Sequence, residues 1–298
     1  MTGLIIQGLI NGLILGAIYG LIGVGLNVIF GVLRVVNFAH GEFLVLGAYF
    51  AFYLLEYLGI NPLLALPLAF AVFFLAGYLL YFVLIPRLSK AEDPEISSLL
   101  LMFGVSIMLG AIMLLAFEAD ARSLPYEIEP VFLKFGPVLV PTVRLLALGI
   151  ALAIVAALAL FLYRTHLGKA LRAIIMNRDA VRIVGINAER LSAVAFGLGI
   201  GLAAASGVLV AMVFPSFSPF MGNDYTLIGF IVIVLGGLGH PVGALVGALL
   251  FGVTEQVSVV FFNPSIATIC GFTLMVAMIF VRPSGLFGIG AALGDPPC

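Results

Sequence analysis

Apolar runs long enough to cross a bilayer follow one another along almost the whole chain, and they limit what it can fold into. A hydrocarbon layer of about 30 Å takes roughly 20 residues of helix. Backbone polar groups inside that layer must bond to one another, so a chain built of such runs folds as a bundle of membrane helices. The runs fall at residues 4–31, 35–55, 62–86, 96–117, 142–164, 191–213, 226–258 and 265–282. With 63% hydrophobic and 9% charged residues, against roughly a quarter charged in a soluble domain, the 298 residues read as one all-α polytopic membrane domain of about eight hydrophobic segments. The first run lacks a basic leader and exceeds a signal-peptide core, so a retained span is expected.

The run at 226–258 is too long for one crossing. Its centre, Leu235-Gly-Gly-Leu-Gly-His-Pro241, interrupts regular helical bonding and divides it into two short arms, re-entrant or a pair of short passes. The positive-inside tendency puts Arg34, Arg87 with Lys90, the stretch 164–190 and Arg282 on the cytoplasmic side. The N-terminus is then outside, as are Glu56, the acid-rich loop Glu118 to Glu129 and the loop Pro215 to Tyr225. Parity supports the division, because only two arms return Arg282 to the cytoplasm. Tyr53, Tyr57, Tyr126 and Tyr225 outside and Tyr163 inside are expected as interfacial anchors. Cys270 and Cys298 occupy places that suggest neither pairing nor redox chemistry.

Gly8, Gly12, Gly16 and Gly20 recur every four residues and share one helix face. Such a ladder lets another backbone approach closely, within the bundle or at a subunit interface. Gly197 with Gly201, and Gly239 with Gly243 and Gly247, repeat the pattern.

Asn37-Phe-Ala-His40-Gly41-Glu42 opens the second span with ionisable groups at or just inside the lipid boundary. Such groups are costly there and face a bundle interior or a water-filled path. His40 and Glu42 are two residues apart and point in different directions. They either satisfy freed backbone groups at the bend from the first span or contact substrate. The break Gly236-Gly237-Leu238-Gly239-His240 is similar in kind, and paired interruptions mark translocation routes, so the two are treated as counterparts. Glu255 and Gln256 suit an inter-helix or solvated role. The spacing of His40, His166 and His240 fits no metal site, Gly168-Lys169 lacks P-loop spacing, and no hydrolytic constellation is present. A non-enzymatic chain that holds no cofactor is expected.

The island from Arg164 to Arg190 spans 27 residues and holds six of the thirteen basic residues: Arg164, Lys169, Arg172, Arg178, Arg182 and Arg190. A net charge of -1 gives no reason to expect nucleic acid as a partner. From Gly168 to Gly185 the spacing predicts a short amphipathic helix, with Leu171, Ile174, Val181 and Val184 on one side and Arg172, Asp179 and Arg182 on another. Such a helix lies on anionic lipid or on a soluble partner, and Asn177, Asp179 and Gly185-Ile-Asn187 suit a partner better.

Four stretches carry a resemblance: Val36-Asn-Phe-Ala-His-Gly-Glu42; Gly168-Lys-Ala-Leu-Arg-Ala173 through Asp179 to Gly185-Ile-Asn187; Leu235-Gly-Gly-Leu-Gly239 with Pro241-Val-Gly-Ala244; and Arg282-Pro-Ser-Gly-Leu-Phe-Gly288. In that order they resemble the permease of branched-chain amino acid ABC importers, across nearly the whole chain. One departure is His240, where the family commonly has Ser or Thr. The resemblance implies an inner-membrane heterodimer of two related permeases, two cytoplasmic ATPases that bind the ATP, and an external solute-binding protein. It implies that Arg172, Asn177, Arg178, Asp179 and Gly185 belong to a coupling helix seated in an ATPase groove. Asn37, His40, Gly41, Glu42, Gly236, Gly237, Gly239 and His240 would frame the path between the permeases. The same scaffold serves urea, short amides and aromatic acids. From another class, a gradient-driven secondary transporter or channel working through Glu42, Glu255 and the histidines stays open.

Overall fold

The computed structural model describes residues 2–88, 92–126, 128, 131–135, 138–183 and 185–288. Lys90, Glu129, Val184 and Cys298 lie outside them, as does the side chain of Arg182. The helices are α1 (Thr2–Leu33), α2 (His40–Leu58), α3 (Pro62–Leu88), α4 (Pro94–Phe117), α5 (Thr142–Arg164), α6 (His166–Met176), α7 (Arg178–Ile183), α8 (Ala188–Val213), α9 (Gly222–Gly236, after a 3-10 turn at Pro219–Met221), α10 (Pro241–Phe261) and α11 (Pro264–Val281). Among the described residues all but α6 and α7 are long and apolar enough to cross a membrane, α9 together with its 3-10 turn.

Helices α1 and α8 form the buried centre, while α4 and α11 lie at the periphery. Lipid offers no hydrophobic drive between helices, so contact rests on close packing of small residues. The glycine face of α1 lies antiparallel against α10. A methyl on Gly12 would come within 2.6 Å of Val253 Cα, and one on Gly16 within 2.9 Å of the Ala248 carbonyl oxygen. Gly8 meets Gln256 and Val260, and Gly20 meets Leu245. That face is filled by the chain itself and is not free for a second subunit. Gly197 and Gly201 of α8 take Phe74 and Phe70 of α3 in the same manner, and Gly243 and Gly247 of α10 take α9. Gly239 does not extend that row, since it lies in the connecting turn with φ +79.

The structure divides 226–258 where the glycines and proline stand, but the arms are unequal. Helix α9 has 15 residues and α10 has 21, long enough for a full pass. The island forms two helices instead of one. Asn177 is extended (φ -157, ψ 102) and its Oδ1 accepts from Asp179 N at 3.1 Å and Ala180 N at 2.9 Å, so it ends α6 and caps α7. A hairpin not foreseen, β1 (Phe132–Phe135) with β2 (Val138–Pro141), packs Val138 and Val140 on Ile10 and Ile14 of α1. Tyr225, expected at an interface, is 5% exposed beside Phe214.

One end of the bundle gathers the elements expected to be cytoplasmic. Gly31 of α1 meets Ile175 of α6 and Gly239. Past Arg282, Leu286 N and Phe287 N donate to the Leu235 and Gly236 carbonyls at 3.0 and 3.1 Å. Arg34, α6 and Arg282 thus share a side, as the parity of the charges requires.

The α1–α10 contact yields a prediction. Gly12→Leu forces the two backbones apart, a strain of about 1–3 kcal/mol or more. Expressed without any partner, this variant is expected to accumulate at less than a tenth of the wild-type level in membranes, measured by quantitative blotting. Wild-type yield from the lone chain would disprove the internal contact.

Candidate functional site

Two places concentrate polar chemistry, one inside the bundle and one at the end that carries α6. The first forms where the chain after α1 turns back. Arg34 takes φ +57, residues 34–37 leave helical geometry, and α2 starts only at His40. Its first turn meets the first turn of α9. Gly41 packs on Gly222 and Thr226 with no room for a side chain. Gly41 N donates to Thr226 Oγ1 at 2.9 Å, and the Thr226 hydroxyl lies 3.0 and 3.2 Å from the carbonyls of Gly222 and Phe38. Gly222 precedes Gly236 by roughly 21 Å along the helix axis, so this junction stands at the far end of α9 from the glycine turn, with its side chains buried in the bundle.

Asn37 and His40 are 0% exposed and Glu42 is 3% exposed. His40 Nε2 is 3.1 Å from the Ile22 carbonyl, which assigns the proton to that nitrogen. Ser106 Oγ of α4 donates to Glu42 Oε1 at 3.3 Å, and the carboxylate lies against Gly222. Asn37 Oδ1 accepts from Ala39 N at 3.1 Å. Asn37 Nδ2, His40 Nδ1 and Glu42 Oε2 find no hydrogen-bond partner among the described residues. His40 and Glu42 diverge as their spacing requires, and none of these three side chains reaches solvent in this conformation. His40 pins α2 to α1, Glu42 pins it to α4 and α9, and Asn37 braces the turn before it through Ala39.

The second place is the turn from α9 to α10. Gly237 and Gly239 adopt φ +106 and +79, which glycine alone takes without strain. Asn27, a buried amide of α1, clasps the turn: its Nδ2 donates to the Gly237 and His240 carbonyls at 3.2 and 3.1 Å, and Gly239 N donates to its Oδ1 at 2.5 Å. His240 caps α10, Nδ1 accepting from Gly243 N at 3.1 Å, with its ring stacked on Phe287. Ser and Thr are N-cap residues, so the imidazole does their work. Gly236 packs on Gly243. The breaks at 37–42 and 236–240 are therefore not counterparts, since they lie at opposite ends of α9. The partner of the first is the chain reversal at 214–221, where α9 begins.

Above the turn lies the island. Leu171, Ile174 and Val181 are buried, on the side their spacing assigned. Thr165 caps α6 through Gly168 N at 3.0 Å, and Asn187 caps α8 through Arg190 N at 3.0 Å. Arg172 turns inward: Nε donates to the Leu162 carbonyl at 3.0 Å and the guanidinium stands 4.5 Å over the Tyr163 ring. Arg178 approaches Tyr81 of α3. Asn177, Asp179 and Gly185 stay exposed, Gly185 in a turn with φ +81. Sequence reasoning missed Met176 and Ile183, which are 86% and 85% exposed. It also missed Asn27, Gly222 and Thr226. Asn27 had a signal, an amide within an apolar run; the other two join α2 only through the fold. A cleft of about 200 Å³ lined by Asn27, Val32, Tyr163, Arg172, Ile175 and His240 separates island and turn.

The cap at α10 is testable. His240→Ser keeps an acceptor and is expected to leave thermal stability unchanged, whereas His240→Ala loses about 1 kcal/mol. Thermal unfolding of the two purified variants distinguishes them, and equal melting temperatures would remove the capping role.

Residues 8–280 match the family described as the branched-chain amino acid transport system permease component. The chain is 29% identical over 297 residues to the high-affinity branched-chain amino acid transport system permease protein BraD of Pseudomonas aeruginosa, covering 95% of both. It is 26% identical over 293 residues to LivH of Escherichia coli, again covering 95% of both. It is 28% identical over 307 residues to LivM of the same organism, covering 94% of this chain and 70% of LivM. Among solved structures, PsaBC from Streptococcus pneumoniae in complex with Fab superposes with a TM-score of 0.51 at 13% identity, covering 96% of this chain and 98% of that one, which shows a shared fold. This multi-pass chain belongs to the family of branched-chain amino acid transport system permease components.

Proposed function

We propose that the chain is a permease subunit of an ATP-driven importer for branched-chain or other hydrophobic amino acids. It forms the translocation path with a second, related permease in the bacterial inner membrane, its N-terminus outside and the end of α11 in the cytoplasm. Two cytoplasmic ATPases bind the ATP and an external solute-binding protein delivers the solute. The chain itself is not an enzyme and carries no cofactor. The likeness to both LivH-type and LivM-type permeases supports a pair of related subunits.

The observation that carries this reading is the island. Helices α6 and α7 bury one apolar side in the bundle yet leave Met176 and Ile183 exposed on either side of Asp179. Exposed apolar side chains at a capped helix pair suit a groove in a soluble partner. A gradient-driven transporter has no use for them. Inward, Ile175 of α6 lies against Gly31, which packs on Gly239, and Asn27 ties that turn to α1. Helix α9 then reaches from the turn to Gly41 and Glu42. A push on α6 is passed through the turn and along a short, straight helix to the junction deep in the bundle, which opens the path to the other side. In this reading Asn37, His40, Gly41 and Glu42 hold the inner hinge, Gly236, Gly237, Gly239 and His240 hold the outer end of the same strut, and Arg172 and Arg178 fasten the island to the bundle while Asn177, Asp179 and Gly185 shape its contact with the ATPase.

The test is uptake of radiolabelled leucine into proteoliposomes holding the chain with its co-purified permease and ATPases, plus binding protein. ATP-dependent uptake that isoleucine and valine compete for is expected. Met176→Glu with Ile183→Glu is expected to cut uptake at least tenfold by releasing the ATPases, while Asp179→Lys leaves ATP hydrolysis running with little uptake and membrane insertion intact. Leucine uptake without ATP would support a gradient-driven transporter, and normal uptake by both variants would remove the coupling role of the island.

A further inference from the structure

The first turn of α9 exposes an acid inside a stretch, Pro219–Gly236, that is long and apolar enough to cross a membrane. Asp224 precedes Gly236 by roughly 18 Å along the helix axis, less than the thickness of a hydrocarbon layer of about 30 Å. Asn223, Asp224 and Leu227 are exposed, while Tyr225, Thr226 and Gly229 on the other side are buried. A carboxylate at this depth faces a water-filled route or a partner subunit, not acyl chains. A second wall adjoins it. Glu255 of α10 is partly exposed, its Oε2 accepting from Tyr19 OH at 3.2 Å, and Tyr225 lies within electrostatic reach of both Asp224 and Glu255. Thr254 and Gln256 beside it are also partly exposed. This polar seam is separate from the buried cluster at Glu42, whose carboxylate lies on another side of Gly222.

We propose that Asp224 fronts the aqueous route through the assembled transporter and pairs with the ammonium group of the passing amino acid. The inference rests on the importer reading above and adds a residue to it. The charge decides the orientation: Asp224 attracts the ammonium and, with Glu255, repels the α-carboxylate, so the solute passes with its amine toward α9. The rest of the exposed face, Leu227 and Phe220, gives a side chain such as that of leucine an apolar surface without fixing its shape.

The experiment uses the reconstituted complex with leucine as the probe. Asp224→Asn is expected to lower leucine imported per ATP hydrolysed at least fivefold, and Asp224→Glu to recover at least half. A merely structural loss would reduce hydrolysis and uptake together and leave that ratio unchanged. In a chain with Cys270→Ser and Cys298→Ser, the Asp224→Cys variant is expected to react with a membrane-impermeant, positively charged thiol reagent, and leucine-loaded binding protein is expected to slow the reaction. An unchanged ratio in Asp224→Asn, or an unreactive thiol at that position, overturns the proposal, and the labelling decides the matter if Asp224→Asn fails to assemble. Failure of the wild-type complex to import leucine with ATP would instead strike the importer reading itself.

Discussion

Everything else in this bundle depends on the backbone contact between α1 and α10. Four glycines at four-residue spacing let two helices approach until main-chain atoms touch. In lipid, where burying an apolar side chain gains little, that proximity is the principal source of adhesion. The contact runs along α1 and leaves its opposite sides for α8 and α9. Because α10 packs along α1, the turn before α10 comes within reach of Asn27, which ties it to α1 with three hydrogen bonds. An amide in an apolar helix is costly unless satisfied, and here it is satisfied by the turn it secures.

The consequence for the path is a division of labour among polar residues. Those most conspicuous in the sequence, Asn37, His40 and Glu42, are buried; His40 and Glu42 fasten α2 to its neighbours, and Asn37 holds the turn that opens it. The exposed polar residues stand on the other side of α9, at Asn223 and Asp224. Helix α9 therefore has one face that grips the bundle and one that is exposed. Fifteen residues make it too short to bend easily and long enough to join the glycine turn to the junction with α2.

Much of this was legible in the sequence for physical reasons. Hydropathy locates the membrane helices because the bilayer sets their length, and the cluster Gly236 to Pro241 marks the division at the right residues because glycine and proline act locally. Charge parity, a separate signal, agrees. The start of α2 was not legible. Val35, Val36, Phe38 and Ala39 are apolar, and hydropathy does not distinguish an extended segment from a helix when both are buried. Asn177 carried a cap signal, but the spacing of Leu171, Ile174 and Val181 reads through it as one helix. The pairing of Gly41 with Gly222 joins residues far apart in the chain and follows only from the packing of α2 and α9. The sequence places Asp224 in an outer loop, because the reversal at 214–221 leaves no mark beyond two prolines.

The segment after α11 gives the last helix a task. Leu286 and Phe287 donate their amides to carbonyls at the end of α9, and Phe287 lies flat on His240. Four residues of loop, Arg282 to Gly285, thus graft this helix onto the turn between α9 and α10. Helix α11, almost wholly on the surface of the bundle, is thereby an outrigger lashed to the clasp that joins α9, α10 and Asn27. Any displacement of that turn would carry α11 with it, so in the proposed cycle whatever surrounds α11 would be felt at the turn.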